Sequence, residues 1–513
     1  MRKAEAGTGL GPAPANRDPG RISAAGAEDG ADLTSALADR GPGPSTSLAT
    51  RPERRPTAPA GQRQPSTAPG PRGFRTVPRS LRAFQRNAPE LFQNLRNVYG
   101  DMVRLPLGYF TVHLNYHPDA IRYVLQDNNQ NYVRGKGYDA FKTFMGMGLL
   151  TLDGTEWRQH RRVVNPLFHK SAIESMATTM TDATTAVLDR WEQQVPSDGN
   201  IDVVPEMMEL TLDALGKVMF DTDLGPDSAR VGPAMVTAIE AMVFRGTFPQ
   251  LTPSVIPIPY NLRIKQARKV MYDVVDRIVE AHRAGRHEGI TDLVQLLLSA
   301  TGEDAAPWTK QQVRDEIMTV FMAGHETTGT GLAWALYELA RNPDVQERLH
   351  EEAERELSGR TPGIGDLDRL PYTRMVVDET LRLHPPIWVY PRDAVNEDEI
   401  AGWRIPAKGS VFMVPYVTHR HPDFWVDPER FDPERFSPDN SAGHPRYMYF
   451  PFGGGQRKCI GNQMAVLQTH LTLAMIVQRF RLRIVPEYPV TFGTRVSFRP
   501  LDGIRLAIEP RSR

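Results

Sequence analysis

The sequence predicts a mainly α fold with small β-sheets, and three observations predict it. Apolar residues recur at helical spacing from the end of an early hairpin to about residue 385. Strand-like pieces are confined to that hairpin and to 387–416 and 480–507. One helix, Thr309 to Arg341, is long enough to cross a whole domain, roughly 48 Å at 1.5 Å per residue. Helical layers with minor sheets follow from that mixture.

The bulk numbers narrow the function. A chain of 513 residues can bury a large core. Its 61 basic and 61 acidic residues cancel, so no global field argues for nucleic acid or an acidic membrane. A single cysteine excludes a disulfide framework and any multi-cysteine zinc or iron–sulfur site. There is no run of about eighteen apolar residues and no apolar signal core, so a soluble, cytoplasmic protein without a transmembrane anchor is expected.

Taken in order, residues 1–75 are rich in Ala, Gly, Pro, Ser, Thr and Arg with few large apolar groups, and they read as a disordered tail. From 41 to 80 there are seven arginines against one acid, Glu53, which has the composition of a transit peptide, although a solvated tail or an over-long start fits better. The remainder, 76–513, reads as one domain opening near Pro78. Helical spacing covers 81–99 and Gly100 stops it. Met102 to Leu107 and Phe110 to Tyr116 then alternate as a hairpin.

Thr309 with Gln312 forms a capping-box start for the long helix, and Pro343 lies just beyond its end. Val313, Ile317, Val320, Gly324, Thr328, Leu332, Ala335 and Leu339 fall on one face. Its middle, Gly324-His325-Glu326-Thr327-Thr328-Gly329-Thr330-Gly331, is a poor helix former, costing about 1 kcal/mol per glycine. Small side chains there let a flat ligand approach the backbone, and hydroxyls can open the ladder; close helix packing is the plainer alternative.

Two further motifs follow. Glu379 and Arg382 share a helix face before Pro385-Pro386 ends the helix, and apolar neighbours point to a buried pair completed by Arg435. Pro451 to Gly461 is a glycine-rich loop holding the only cysteine, Cys459, just before a helix whose buried face is Met464, Leu467, Leu471 and Val477. A thiolate at a helix start gains from the positive helix end, which lowers its pKa.

These motifs resemble those of the cytochrome P450 family of haem-thiolate monooxygenases. Phe452, Gly455, Arg457, Cys459 and Gly461 match the family's haem-binding pattern. Ala323, Gly324, Glu326, Thr327 and Thr328 match the oxygen-activating pattern; Glu379, Arg382 and Arg435 match the Glu-x-x-Arg network. Trp157 and Arg161 match Trp-x-x-x-Arg. The resemblance covers about residue 78 to the end.

It implies the cytochrome P450 fold with the long helix over a haem b whose axial ligand is Cys459. Trp157, Arg161, Arg392 and Arg457 would hold the propionates, with Phe452, Gly455 and Gly461 around the cofactor. Glu326 and Thr327 would relay protons to O2, and His325 would be structural. The pocket would be lined by Tyr138, Phe141, Phe144, Met145, Phe321, Met322, Ile387, Trp388, Val389, Val496 and Phe498, apolar and bulky as suits a terpenoid, polyketide or fatty-acid-like substrate of secondary metabolism.

No flavin or iron–sulfur domain is evident, so electrons from NAD(P)H are expected through a ferredoxin and its reductase. Arg158, Arg162, Lys170 and Lys458 offer a basic patch for the ferredoxin. A monomer from a GC-rich actinobacterium is the expected context. The rival readings are a peroxide-driven peroxygenase or redox-neutral isomerase, and a non-catalytic haem-binding sensor. The intact Glu326 and Thr327 argue against the peroxygenase, because family members that use peroxide commonly lose this pair.

Overall fold

The computed structural model describes residues 66–72, 76–108, 110–194, 199–247, 259–285, 292–302, 306–494 and 496–511. Its principal helices are α1 (Thr76–Tyr99), α2 (Asp139–Met145), α3 (Gly154–Val164), α4 (Ala177–Gln194), α5 (Val203–Phe220), α6 (Ser228–Thr247), α7 (Pro259–Arg283), α8 (Leu293–Leu298), α9 (Lys310–Arg341), α10 (Pro343–Leu357), α11 (Pro371–Leu383) and α12 (Asn462–Arg479). The strands are β1 (Met102–Leu107), β2 (Phe110–Asn115), β3 (Tyr132–Val133), β4 (Asn200–Asp202), β5 (Tyr390–Ala394), β6 (Asp398–Ile400), β7 (Trp403–Ile405), β8 (Ser410–Met413), β9 (Phe480–Ile484), β10 (Phe492–Thr494), β11 (Phe498–Pro500) and β12 (Arg505–Pro510). The class is therefore mainly α with small sheets, as the spacing predicts.

The largest sheet has the order β1-β2-β8-β5-β3. Its hairpin pairs Met102 with Asn115 and Leu107 with Phe110, and β8 joins β2 in parallel. β4 lies in a stretch expected to be helical. It forms because β12 supplies a partner far along the chain, with Arg505 opposite Asp202, which local periodicity cannot register. α1 starts earlier than expected and breaks at Asn87 (φ −157°), two residues before Pro89. The Asn87 side chain accepts from the Glu90 N–H at 3.3 Å and so starts the second half.

α9 is the axis of the molecule. Thr309 Oγ1 accepts from the Gln312 N–H (3.2 Å) while Gln312 Oε1 accepts from the Thr309 N–H (2.9 Å), the reciprocal cap expected. Burial, however, extends all round rather than along one stripe: Phe321, Ala333, Trp334 and Leu336 are as buried as Ile317 and Leu332. The helix is wrapped by α5, α12, α11 and β9. Part of its small-residue middle serves packing, since a Cβ on Gly329 would lie 3.0 Å from Thr211 Oγ1 and 3.2 Å from the Met207 carbonyl of α5.

Most of the expected 1–75 tail lies outside the described residues, but 66–72 do not behave as a tail. Ser66 N–H donates to Gly402 O (3.2 Å), Arg404 N–H to Ser66 O (3.0 Å) and Arg104 N–H to Pro69 O (2.7 Å). This short segment thus runs along the open edges of β7 and β1, and Ala68 is buried against them. Among the described residues no helix is long and apolar enough to cross a membrane.

Candidate active site

The cysteine loop is shaped by its glycines. Cys459 N–H donates to Phe452 O at 3.0 Å, and Gly455 has φ 63°. A Cβ on Gly455 would lie 1.8 Å from the Leu125 carbonyl oxygen, so any other residue would push the loop off the Tyr123–Asp127 turn beneath it. Gly455 was expected among the cofactor contacts; it does not line the cavity and instead seats the loop.

Cys459 is exposed and lines a cavity of about 1890 Å³. Burial pushes its thiol up, while the Gly461 N–H, Arg161 and Lys458 pull it down. The helix-end effect anticipated from sequence is present only through that Gly461 N–H, and desolvation outweighs it.

α9 lines the same cavity with Ala323, Gly324, Glu326, Thr327 and Thr328. Thr327 Oγ1 donates to Ala323 O at 2.6 Å, a bond inside the helix that turns the hydroxyl back on its own backbone. Glu326 is 6% exposed, and its Oε1 accepts from Ser497 Oγ. Burial pushes the Glu326 carboxyl up; Ser497 and the charge of Arg499 oppose this. His325 is off the cavity. Its Nε2 lies 3.0 Å from the Met208 carbonyl of α5, and burial lowers its pKa to about 4, so it is neutral.

Trp157, Arg161, Arg392, Phe452, Arg457 and Gly461 all reach the cavity. Arg457 stacks 3.9 Å over the Trp157 ring and meets Asp153 at 2.5 Å. Arg161 donates to Lys458 O at 3.2 Å. Sequence reasoning missed Arg134, which donates to Tyr138 Oη at 2.7 Å and has a buried Nε without a partner. It follows a two-residue strand and no local pattern marks it. Desolvation, then the neighbouring Arg134, bring Arg457 down to about 9, and the same two causes lower Arg392.

Of the expected pocket residues, Phe141, Met145, Met322, Ile387, Trp388, Val389 and Val496 line the cavity. Tyr138 lines it on the arginine side. Phe144, Phe321 and Phe498 do not. Phe321 stacks on Phe220 (5.8 Å), Phe498 on Trp334 (5.4 Å), and Phe144 is buried in the helical core. Leu215 and Met219 of α5 and Ile239 and Met242 of α6 also line it and had not been anticipated.

Away from the cavity, Glu379 and Arg382 are fully buried and paired through two bonds of 2.6 and 2.8 Å. Arg435 Nε stands 3.3 Å from Glu379, and Arg382 also donates to the carbonyls of His419, Pro428 and Arg430. His419 in turn accepts from the Phe450 N–H at 3.0 Å, linking this network to the start of the cysteine loop.

A mainly helical fold around a cavity with one thiol and a helix-borne acid and alcohol defines a haem-thiolate oxygenase. The sequence pattern described as Cytochrome P450 matches residues 71–496, and the chain belongs to that family and is a monooxygenase. It is 33% identical to cyclooctatin synthase of Streptomyces melanosporofaciens, over 80% of this chain and 89% of that protein. It is 30% identical to pentalenene oxygenase of Streptomyces avermitilis, over 83% of this chain and 92% of that one. The crystal structure of the cytochrome P450DA heme domain superposes with a TM-score of 0.79 at 26% identity, covering 88% of this chain and 99% of the other.

The family carries haem with a thiolate ligand. The residues present fit that group. A sulfur faces the cavity, and the guanidiniums of Arg134, Arg161, Arg392 and Arg457 gather on one wall, where desolvation, and after it the charge of Arg134, lower the other three. Such a wall suits an anionic, carboxylate-bearing ligand.

Proposed function

We propose that this monooxygenase hydroxylates a cyclic terpenoid in the cytoplasm, using electrons delivered from NAD(P)H by a ferredoxin and its reductase. The observation that carries this is one predominantly apolar cavity joining the Cys459 sulfur, the α9 acid and alcohol, and the arginine wall. Relatives that modify terpenoids support the substrate class.

In this reading Cys459 would ligate a bound haem through its sulfur, and Arg134, Trp157, Arg161, Arg392 and Arg457 would hold its propionates, with Phe452 and Gly461 lining the same cavity. Haem, when bound, supplies electron transfer and oxygen activation. The chain's own work is to position and to move protons. Glu326 stays protonated more readily than an exposed glutamate because burial disfavours its charge, and it can pass that proton into the cavity through the Thr327 hydroxyl. The apolar walls exclude water and hold a bulky hydrocarbon skeleton. Arg158, Arg162, Lys170 and Lys458 are exposed and form the docking face for an acidic ferredoxin.

The test is reconstitution with ferredoxin, reductase and NADPH against cyclic terpenes, fatty acids and macrolides under isotope-labelled dioxygen. A cyclic terpene carrying one labelled oxygen is the expected product. Turnover with peroxide alone would reverse the reading in favour of a peroxygenase.

A further inference from the structure

Ser497 has no place in any motif, yet it supplies the hydroxyl that binds Glu326. It is 0% exposed and sits between two residues of opposite character. Val496 lines the cavity, whereas Phe498 is bolted to the core. The Phe498 N–H donates to Pro386 O (2.8 Å), its carbonyl accepts from Trp334 Nε1 (3.1 Å), and its ring stacks on Trp334 and on His384 (5.9 Å).

Trp334 belongs to α9, about two turns beyond Glu326. The loop is therefore fastened to α9 at one point and grips the same helix at another. A brace of this kind fixes the direction of a side chain without any motion of the helix. Thr327 meanwhile bonds Ala323 O, so the hydroxyl that binds Glu326 comes from outside α9. Arg499, two residues beyond Ser497, acts on the same carboxyl by charge, while His325 faces α5 and is neutral.

We infer that Ser497 is a positioning residue that aims the Glu326 carboxyl for proton delivery, with Trp334 and Phe498 as the anchor of the brace. The inference rests on the reading of Glu326 as the proton source. Preorganised donors of this type matter because they spend no reorganisation during the reaction.

The experiment uses the holoenzyme and the variants Glu326→Gln, Ser497→Ala and Ser497→Thr. Infrared pH-difference spectra of the resting enzyme assign the Glu326 carboxyl band as the one missing in Glu326→Gln. In Ser497→Ala that band should shift in frequency and titrate at higher pH, and Ser497→Thr should restore it. With ferredoxin, reductase, NADPH and dioxygen but no organic substrate, the ratio of peroxide to water formed should rise about tenfold in Ser497→Ala, the equivalent of one hydrogen bond.

An unmoved band and ratio in Ser497→Ala, with both changed in Glu326→Gln, overturns the positioning role and leaves the reading of Glu326 intact. An unchanged ratio in Glu326→Gln removes the proton-source reading and this inference with it. Ser497→Cys keeps the volume and weakens the donor, and gives the same readings should Ser497→Ala not fold.

Discussion

Two buried glutamates in this molecule are served very differently. Glu379 is 0% exposed, and its oxygens receive Arg382 Nε (2.6 Å), Arg382 Nη2 (2.8 Å) and the Asp432 N–H (2.7 Å), with Arg435 close by. Glu326 is 6% exposed and receives the Ser497 hydroxyl. The first is held in place by guanidinium and amide donors, although burial pushes its carboxyl up as well. The second is under-provided, so its charge is disfavoured and a proton is easily kept or passed on. Burial raises both carboxyls, and the difference lies in the donors: two guanidinium bonds and a backbone N–H hold Glu379 in place, whereas the Ser497 hydroxyl holds Glu326.

The comparison can be broken most decisively at the saturated site. Arg382→Ala strands Glu379 in the core and should cost about 3 to 5 kcal/mol, read as a lower denaturant midpoint or as loss of folded protein. A variant as stable as the parent would erase the distinction. Glu326→Gln should instead leave stability within about 1 kcal/mol. Its product-to-peroxide ratio should fall roughly a hundredfold.

The pH dependence of stability sharpens the same contrast. The raised pKa of Glu326 contributes stability present below the ordinary carboxyl value and lost as pH rises through the raised one, so Glu326→Gln should flatten that slope. His419 has the opposite sign. Burial, then Arg382, lower it to about 3, and its Nε2 must stay unprotonated to accept from Phe450. Its contribution is complete above pH 6.5 and is lost as pH falls toward 3, and acid unfolding of His419→Gln should show a shallower slope across that window. The smallest effect belongs to Thr309→Ala, a cap remote from both glutamates, at about 1 kcal/mol in thermal unfolding without change in the peroxide ratio.

Much of this was legible in the sequence because it is local. The Thr309 cap, the α9 span, the Glu379–Arg382 spacing and the cysteine loop each occupy a few consecutive turns of chain. What escaped is what depends on distant partners. Phe144, Phe321 and Phe498 are as apolar as Phe141, and composition cannot say whether an aromatic faces a cavity or a neighbouring ring. Ser497 gains its meaning from Glu326, 171 positions away, and Arg134 gains its own from Arg392 and Arg457 as much as from its neighbour Tyr138. Gly455 was found by its pattern, but its steric reason lies in the Leu125 carbonyl.

The segment at 66–72 has a practical consequence for anyone trimming the gene. By composition it looks disposable, yet it covers the free sides of β1 and β7 with backbone bonds, and Gly70 approaches the Arg104 carbonyl so closely that a Cβ would lie 1.9 Å away. A protein begun at Thr76 would keep its core and lose the guards on two strand edges, which are ready templates for pairing with another chain. Such a shortened protein would fail by clumping at high concentration rather than by unfolding, a fault visible in light scattering and invisible in a melting curve.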